Sequence, residues 1–332
     1  MNESKFIMLV GIAGSGKSTV AEDLMKGRDD IDYISSDAIR EELTGDVNRQ
    51  DINGEVFATM ATRTKESLKN GRSVIYDATN ISRKKRQGLL KQLPKSVKKI
   101  AIYVATPYEE ILIRNDGRDR KVPVDVIERM YKTMQIPIKS EGWDNIIFEY
   151  TDEIIETDLP KQFTDAIRVA VLLGREGYDL MKFLASYFED FFKIYDLSQD
   201  SKWHTLSVSR HIYYVYKHVL DNYDGEDKEL MLWTALLHDI GKEFCKTFIS
   251  RKGEEMRHAQ FIGHECVGSQ IAVNFLKQMN FEDRFIEDVS ILIQFHMYLL
   301  DDNANREKLK ERVGEDFYNK LEFLREADTL SH

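Results

Sequence analysis

The feature that most restricts the fold is a nine-residue run near the start of the chain. Gly11-Ile12-Ala13-Gly14-Ser15-Gly16-Lys17-Ser18-Thr19 follows the apolar stretch Phe6 to Val10. It fits the pattern G-x-x-x-x-G-K-S, a loop that must lie between a strand and a helix. Its glycines let the backbone curl until successive amides point at one phosphate, and the following helix N-terminus adds its dipole. Lys17 then reaches the outer phosphate oxygens. Gly11, Gly14, Ser15, Gly16, Lys17, Ser18 and Thr19 are therefore the expected binding residues for ATP, with Ser18 the expected ligand of Mg²⁺. A glycine loop that only packed strand on helix would need neither Lys17 nor Ser18.

Such a loop needs a parallel sheet behind it, and the first half of the chain supplies the pieces. Short β-type runs at Phe6 to Val10, Ile31 to Ser35, Ser73 to Tyr76, Ile100 to Val104 and Asn145 to Tyr150 alternate with amphipathic stretches. That alternation predicts a parallel sheet with crossover helices. Beyond residue 160 the chain changes character. All five prolines lie at or before Pro160, and all eight histidines lie from His204 onward. The proline-free remainder has helical apolar spacing, as in Val208, Ile212, Val215 and Val219, so an all-α domain is expected there. A length of 332 residues exceeds what one core usually serves, and domains of 1–155 and 156–332 follow. Residues 1–150 carry 25 Lys+Arg against 23 Asp+Glu, and the rest 22 against 34, so the net charges are +2 and −12. No apolar run approaches the ~20 residues of a membrane span, and two cysteines imply no disulfide framework. A cytoplasmic protein without a membrane partner is expected.

Three segments address the acceptor of a transferred phosphate. Ser36-Asp37-Ala38-Ile39-Arg40 sets Asp37 and Arg40 one helical turn apart, facing one cleft, where a carboxylate can accept a hydroxyl proton. Asp77-Ala78-Thr79-Asn80 ends a buried-type strand at the tip where open parallel sheets bind ligands. Arg114 to Pro123 gathers Arg118 and Arg120 on a glycine-bearing stretch suited to a lid. Singly, these residues read equally well as a helix cap, a turn and solvated charges. The run Arg83-Lys84-Lys85-Arg86 reads as a solvated helix face. With the phosphate loop, the three segments and the sequence Val122-Pro123 to Tyr131 make residues 5–150 resemble the polynucleotide 5′-hydroxyl kinases. The resemblance implies an α/β P-loop kinase domain in which Lys17 and Ser18 hold ATP and Mg²⁺ and Asp37 is the general base. It further implies Arg40 on an acceptor phosphate, Asp77 supporting the acceptor pocket, and Arg118 and Arg120 on donor phosphates.

In the second half, Leu230 to His238 reads as an amphipathic helix that His238-Asp239-Ile240-Gly241-Lys242 brings to a close, with Gly241 as a left-handed stop. His211 lies 27 residues upstream on an apolar-striped helix, and His258, His264, His296 and Asp328 follow. Imidazoles and carboxylates together suit a divalent metal of the Mn, Fe, Co, Ni or Zn type. His218 and His332 are read as ordinary residues. The flanking patterns, including Ala235-Leu236-Leu237-His238-Asp239 and Phe261-Ile262-Gly263-His264-Glu265, make residues 195–332 resemble the all-α HD-superfamily phosphohydrolases. The likeness is greatest to the HD domain of bacterial CCA-adding tRNA nucleotidyltransferases. It implies His211, His238, Asp239 and Asp328 as metal ligands, with His204 a rival for the first position. His258, His264 and His296 become candidates for a second metal or for phosphate, and Asp239 and Lys242 catalytic residues.

Together the two resemblances imply an enzyme that phosphorylates 5′-OH ends and removes 2′,3′-cyclic or terminal phosphates, with RNA ends as the partner. Two rivals stand beside that expectation: a kinase for a small alcohol or nucleoside fused to a nucleotidase, and a nucleotide-gated regulatory module with a structural metal.

Overall fold

The computed structural model describes residues 4–151, 159–201 and 205–331. His204, the rival first ligand, lies outside the described residues. The chain divides into two compact units, Met1–Met130 with Met134–Thr151, and Tyr131–Thr133 with Asp152–His332.

The first unit is built on five parallel strands, β1 (Lys5–Val10), β2 (Ile31–Ser35), β3 (Ser73–Asp77), β4 (Lys98–Ala105) and β5 (Asn145–Tyr150). Their spatial order is β2-β3-β1-β4-β5. Interior parallel strands are covered on both faces, which is why β1 and β3 read as unbroken apolar runs: Phe6 to Val10 and all of β3 are buried. Strand order reverses at β1, which opens a crevice beyond its carboxyl end. The helices are α1 (Lys17–Met25), α2 (Ser36–Thr44), α3 (Asn53–Lys69), α4 (Arg83–Leu90), α5 (Tyr108–Asp116) and α6 (Val124–Thr133), of which the last three residues are counted with the second unit. The expected solvated run on α4 is corrected here. Lys84 and Lys85 are exposed, but Arg83 and Arg86 are buried. The Arg86 guanidinium donates to both carboxylate oxygens of Glu141 at 2.7 and 2.6 Å, and to the carbonyls of Asn80 and Gln135. Arg86 is a buried strut, held in a fully hydrogen-bonded pair.

The second unit is helical: α7 (Lys161–Leu173), α8 (Asp179–Tyr187), α9 (Glu189–Ile194), α10 (Val208–Asn222), α11 (Lys228–Leu237), α12 (Lys242–Cys245), α13 (His264–Gln278), α14 (Asp283–Phe295), α15 (Arg306–Val313) and α16 (Glu315–Leu330). An antiparallel hairpin, β6 (Thr247–Ile249) with β7 (Glu255–Gln260), interrupts the all-α expectation. Two further corrections concern α11. It is buried on every side from Leu230 to Leu237, so it is a central core helix and not an amphipathic one. Gly241 is right-handed, at φ −80°, and does not act as a left-handed stop. Its lack of a side chain serves close packing: a Cβ there would fall 2.4 Å from the His264 carbonyl oxygen and 2.6 Å from the Gly268 amide nitrogen. Among the described residues no helix is long and apolar enough to cross a membrane.

Candidate active site and metal centre

In the first unit a cleft of about 800 Å³ opens at the carboxyl ends of the strands. The phosphate loop forms its floor. Gly14 and Gly16 adopt φ of 91° and 94°, values open to glycine without strain. At Gly16 a Cβ would also sit 2.7 Å from Arg114 Nη1. The loop is braced from outside, because the Thr106 hydroxyl donates to the Ser15 carbonyl at 2.8 Å. The Ser15 hydroxyl, turned into the loop, is buried without a hydrogen-bond partner. Lys17 is buried and donates to the Ile12 carbonyl at 2.8 Å. Burial lowers its ammonium to about 8, against an opposing pull from Asp77 and with a smaller push from Arg118.

The acceptor residues also line this cleft. Ser35 caps α2, its hydroxyl accepting from the Ala38 amide at 3.5 Å, so Asp37 is free of capping and stands in the first turn. Arg40 Nη1 donates to one Asp37 oxygen at 2.6 Å, and Arg120 Nη1 donates to the other at 3.0 Å. Arg120 Nε is anchored on Asn48, and Arg40 Nη2 on Asn53. Arg118 is exposed on the same rim. Asp77 is buried and takes a 2.6 Å hydrogen bond from the Tyr33 hydroxyl. Asp77 lines the cleft together with Ser18 and acts electrostatically on Lys17. Hydroxyl and carboxylate oxygens of this kind fit Mg²⁺. Tyr33, Asn48 and Asn53 were not singled out from the sequence, where nothing distinguishes them from ordinary polar residues.

The second unit brings four histidines and two aspartates together from five helical segments. His211 comes from α10, His238 and Asp239 from the end of α11, His264 from the start of α13, His296 from just beyond α14, and Asp328 from α16. They form two buried groups, His211 with His238 and Asp328, and Asp239 with His264 and His296; within each group the ligand atoms lie within 4.8 Å of one another. Asp239 joins the groups. Its Oδ2 is 3.4 Å from His211 Nε2 and 3.3 Å from His238 Nε2, while its Oδ1 is 3.3 Å from His264 Nε2 and 3.8 Å from His296 Nε2.

The tautomers follow from the hydrogen bonds. Each histidine Nδ1 lies 2.7 to 2.8 Å from a backbone carbonyl, those of Ser331, Ala235, Phe261 and Ile293. A carbonyl only accepts, so each Nδ1 donates and each Nε2, a lone pair in the neutral form of the ring, faces into the cluster, that of His211 also 2.8 Å from Asp328 Oδ1. Yet Nε2 of His211 and His238 are 3.3 Å apart, and those of His264 and His296 are 3.2 Å apart. Lone pairs meeting at that distance call for a cation between them, and carbonyl-anchored imidazoles are how proteins orient metal ligands. Burial, reinforced by His264 and His238, pushes the His296 imidazole down to about 3, so it stays neutral. Burial alone would raise Asp239; Lys242 and His238 outweigh it and hold the carboxyl well below the usual range. Nitrogen and carboxylate donors in this number suit a divalent transition metal in each group. Lys242 Nζ stands 2.6 Å from Asp239 Oδ2.

His258 does not join the cluster. It sits half-buried on β7, in neither group, because the hairpin directs this stretch along the cleft wall. His296, held out of the first ligand set, is as deeply placed as the others.

Two family models match the chain in turn: residues 6–137 match an AAA domain and residues 203–331 an HD domain. The chain joins a P-loop kinase domain to an HD domain. L-seryl-tRNA(Sec) kinase of Methanococcus maripaludis is 31% identical over 155 residues, 45% of this chain and 60% of that protein. The chain therefore spans less than two thirds of the curated relative it matches. Among solved structures, a chain of the Pnkp1/Rnl/Hen1 RNA repair complex is 27% identical, with 39% of this chain and 43% of that chain covered and a TM-score of 0.36. A gluconokinase of Sinorhizobium meliloti is 18% identical, with 46% and 85% covered and a TM-score of 0.34. All three likenesses are partial.

Proposed function

We propose that this chain heals RNA ends: residues 1–155 transfer the γ-phosphate of ATP to a 5′-hydroxyl, and residues 156–332 remove 2′,3′-cyclic or terminal phosphates. The observation that carries the reading is the coexistence, in one chain, of a phosphate-loop cleft with a carboxylate at its acceptor end and a buried cluster of inward-facing imidazoles. The name of the curated relative, a kinase for a residue carried on a tRNA, supports an RNA-borne acceptor.

In the kinase cleft the loop amides and Lys17 bind the donor phosphates, and Ser18 with Asp77 would hold Mg²⁺, whose charge would offset that of the phosphates. Arg40 and Arg120 hold the Asp37 carboxylate by one oxygen each. The acceptor hydroxyl enters against Asp37 and displaces Arg120, which turns to the transferring phosphoryl group. Asp37 then takes the hydroxyl proton. In the HD domain, His211, His238 and Asp328 and, in the second group, Asp239, His264 and His296 would hold divalent cations, which would supply Lewis acidity and acidify a water. The protein's own part is to fix four Nε2 lone pairs by their carbonyl anchors, to bridge the groups with Asp239, and to offer Lys242 to a phosphate oxygen.

The test is an RNA oligonucleotide with a 5′-OH and a 2′,3′-cyclic phosphate, incubated with γ-labelled ATP, Mg²⁺ and Mn²⁺. Label should enter the 5′ end, unaffected by excess nucleoside, gluconate or serine, and the cyclic phosphate should open or leave. Label transfer to the small alcohols in preference to RNA would refute the polynucleotide reading.

A further inference from the structure

Lys242 is aimed by a residue outside the ligand set. Its ammonium has three N–H donors and no acceptor. One faces Asp239 Oδ2 at 2.6 Å, and a second donates to the Gln199 side-chain oxygen at 2.8 Å. Lys242 also lies over the Phe261 ring and lines the cleft of about 470 Å³ that leads to the His/Asp cluster. With two donors engaged, the direction of the third is set.

Gln199 is itself firmly placed. It is 1% exposed, and its amide nitrogen donates to the Leu206 carbonyl at 3.2 Å, which fixes which end of the amide faces Lys242. The backbone around it is strained. Asp196 and Asp200 adopt φ of 53° and 44°, in the left-handed region that residues with a Cβ seldom enter. Strain of that kind persists only where the surroundings enforce it. Here they do: the Asp196 amide donates to the Ser209 hydroxyl at 2.9 Å, the Asp200 carbonyl accepts from the Ala259 amide at 3.1 Å, and Lys246 pairs with the Asp200 carboxylate at 2.7 Å. Both ends of a short strained loop are pinned, and the side chain it delivers goes to Lys242.

We propose that Gln199 is a positioning residue that turns the third N–H of Lys242 into the HD cleft, toward an oxygen of a phosphate group seated at the His/Asp cluster. An amide suits this task because it accepts from the ammonium without neutralising it. A carboxylate at the same place would compete with the substrate phosphate for the charge. The inference rests on the reading of this cluster as a phosphate-handling metal site.

The test uses the full chain loaded with Mn²⁺ and titrated calorimetrically with inorganic phosphate, which needs no turnover. Metal content is measured on every variant. Gln199→Met should keep its metal and bind phosphate about tenfold more weakly, the size of one charge-assisted hydrogen bond. Lys242→Met should lose at least as much, and the double variant no more than Lys242→Met alone, because Gln199 acts only through Lys242. Gln199→Asn keeps the amide but withdraws its oxygen by one methylene, so it carries the same expectation should the methionine variant fold poorly. Unchanged phosphate affinity in both Gln199 variants, losses that multiply in the double variant, or a metal-loaded wild type that binds no phosphate would each overturn the inference. If phosphate binds and responds as described while no phosphoester is hydrolysed, the hydrolase reading fails and the role of Gln199 stands.

Discussion

Lys17 shows how one side chain's surroundings set a measurable behaviour. Burial holds its ammonium near 8, well below the ordinary lysine value of 10.5. A bound polyphosphate favours the charged form and raises that value. Below about pH 8 the lysine is charged with or without nucleotide, so affinity for MgATP should be flat. Above it, the free protein has lost a proton that the complex must regain, and affinity should fall by up to about tenfold per pH unit. Titration with a fluorescent ATP analogue from pH 7 to 9.5 reads this directly, and Lys17→Met should abolish the slope. A wild-type profile that stays flat to pH 9.5 would mean that Lys17 does not meet the phosphates. Lys17, Ser18, Asp37 and Arg40 were legible in the sequence because their spacing is local, set by one loop and one helical turn. Tyr33, Asn48 and Gln199 were not, since each earns its place through a partner 44, 72 or 43 positions away.

At the scale of elements, the strands were the most legible part of the fold. Parallel interior strands are apolar on both faces, and that leaves a plain mark in the sequence. The β6–β7 hairpin leaves none, because its apolar residues Phe248, Ile249 and Met256 are exposed and its length is slight. The junction of α11 and α13 was misread for a different reason. Glycine after a helix suggests a left-handed stop, whereas Gly241 is required by the backbone of α13 passing within van der Waals range. Gly241→Ala should therefore push His264 away from Asp239. The expected cost is about 1–3 kcal/mol, as for other overpacked sites, read as a lower melting temperature together with a lower metal content. An alanine variant with wild-type stability and metal content would show that the close approach at Gly241 is easily relieved.

For the whole molecule, the two sites use different residues and different donor chemistry, so they should fail separately. On an RNA with both end types, Asp37→Asn should lower 5′ label transfer by about 10²–10⁴-fold, the usual weight of a general base, and leave phosphate removal intact. Asp239→Asn should do the reverse. Loss of both activities from either single substitution would speak against two independent centres. The contrast between a +2 and a −12 half fits this division, and Lys17, Arg40, Lys85, Arg118, Arg120 and Lys121 line the kinase cleft.

The end-healing function requires that the four inward-facing imidazoles form a cation site. Its most direct test is the metal content of protein purified without chelator, measured by inductively coupled plasma mass spectrometry. The two groups joined by Asp239 predict about two divalent transition-metal ions per chain, falling to about one in His211→Ala and in His296→Ala. A folded wild type that holds no such metal, even after incubation with Mn²⁺ or Zn²⁺, would contradict the second centre and the end-healing function built on it.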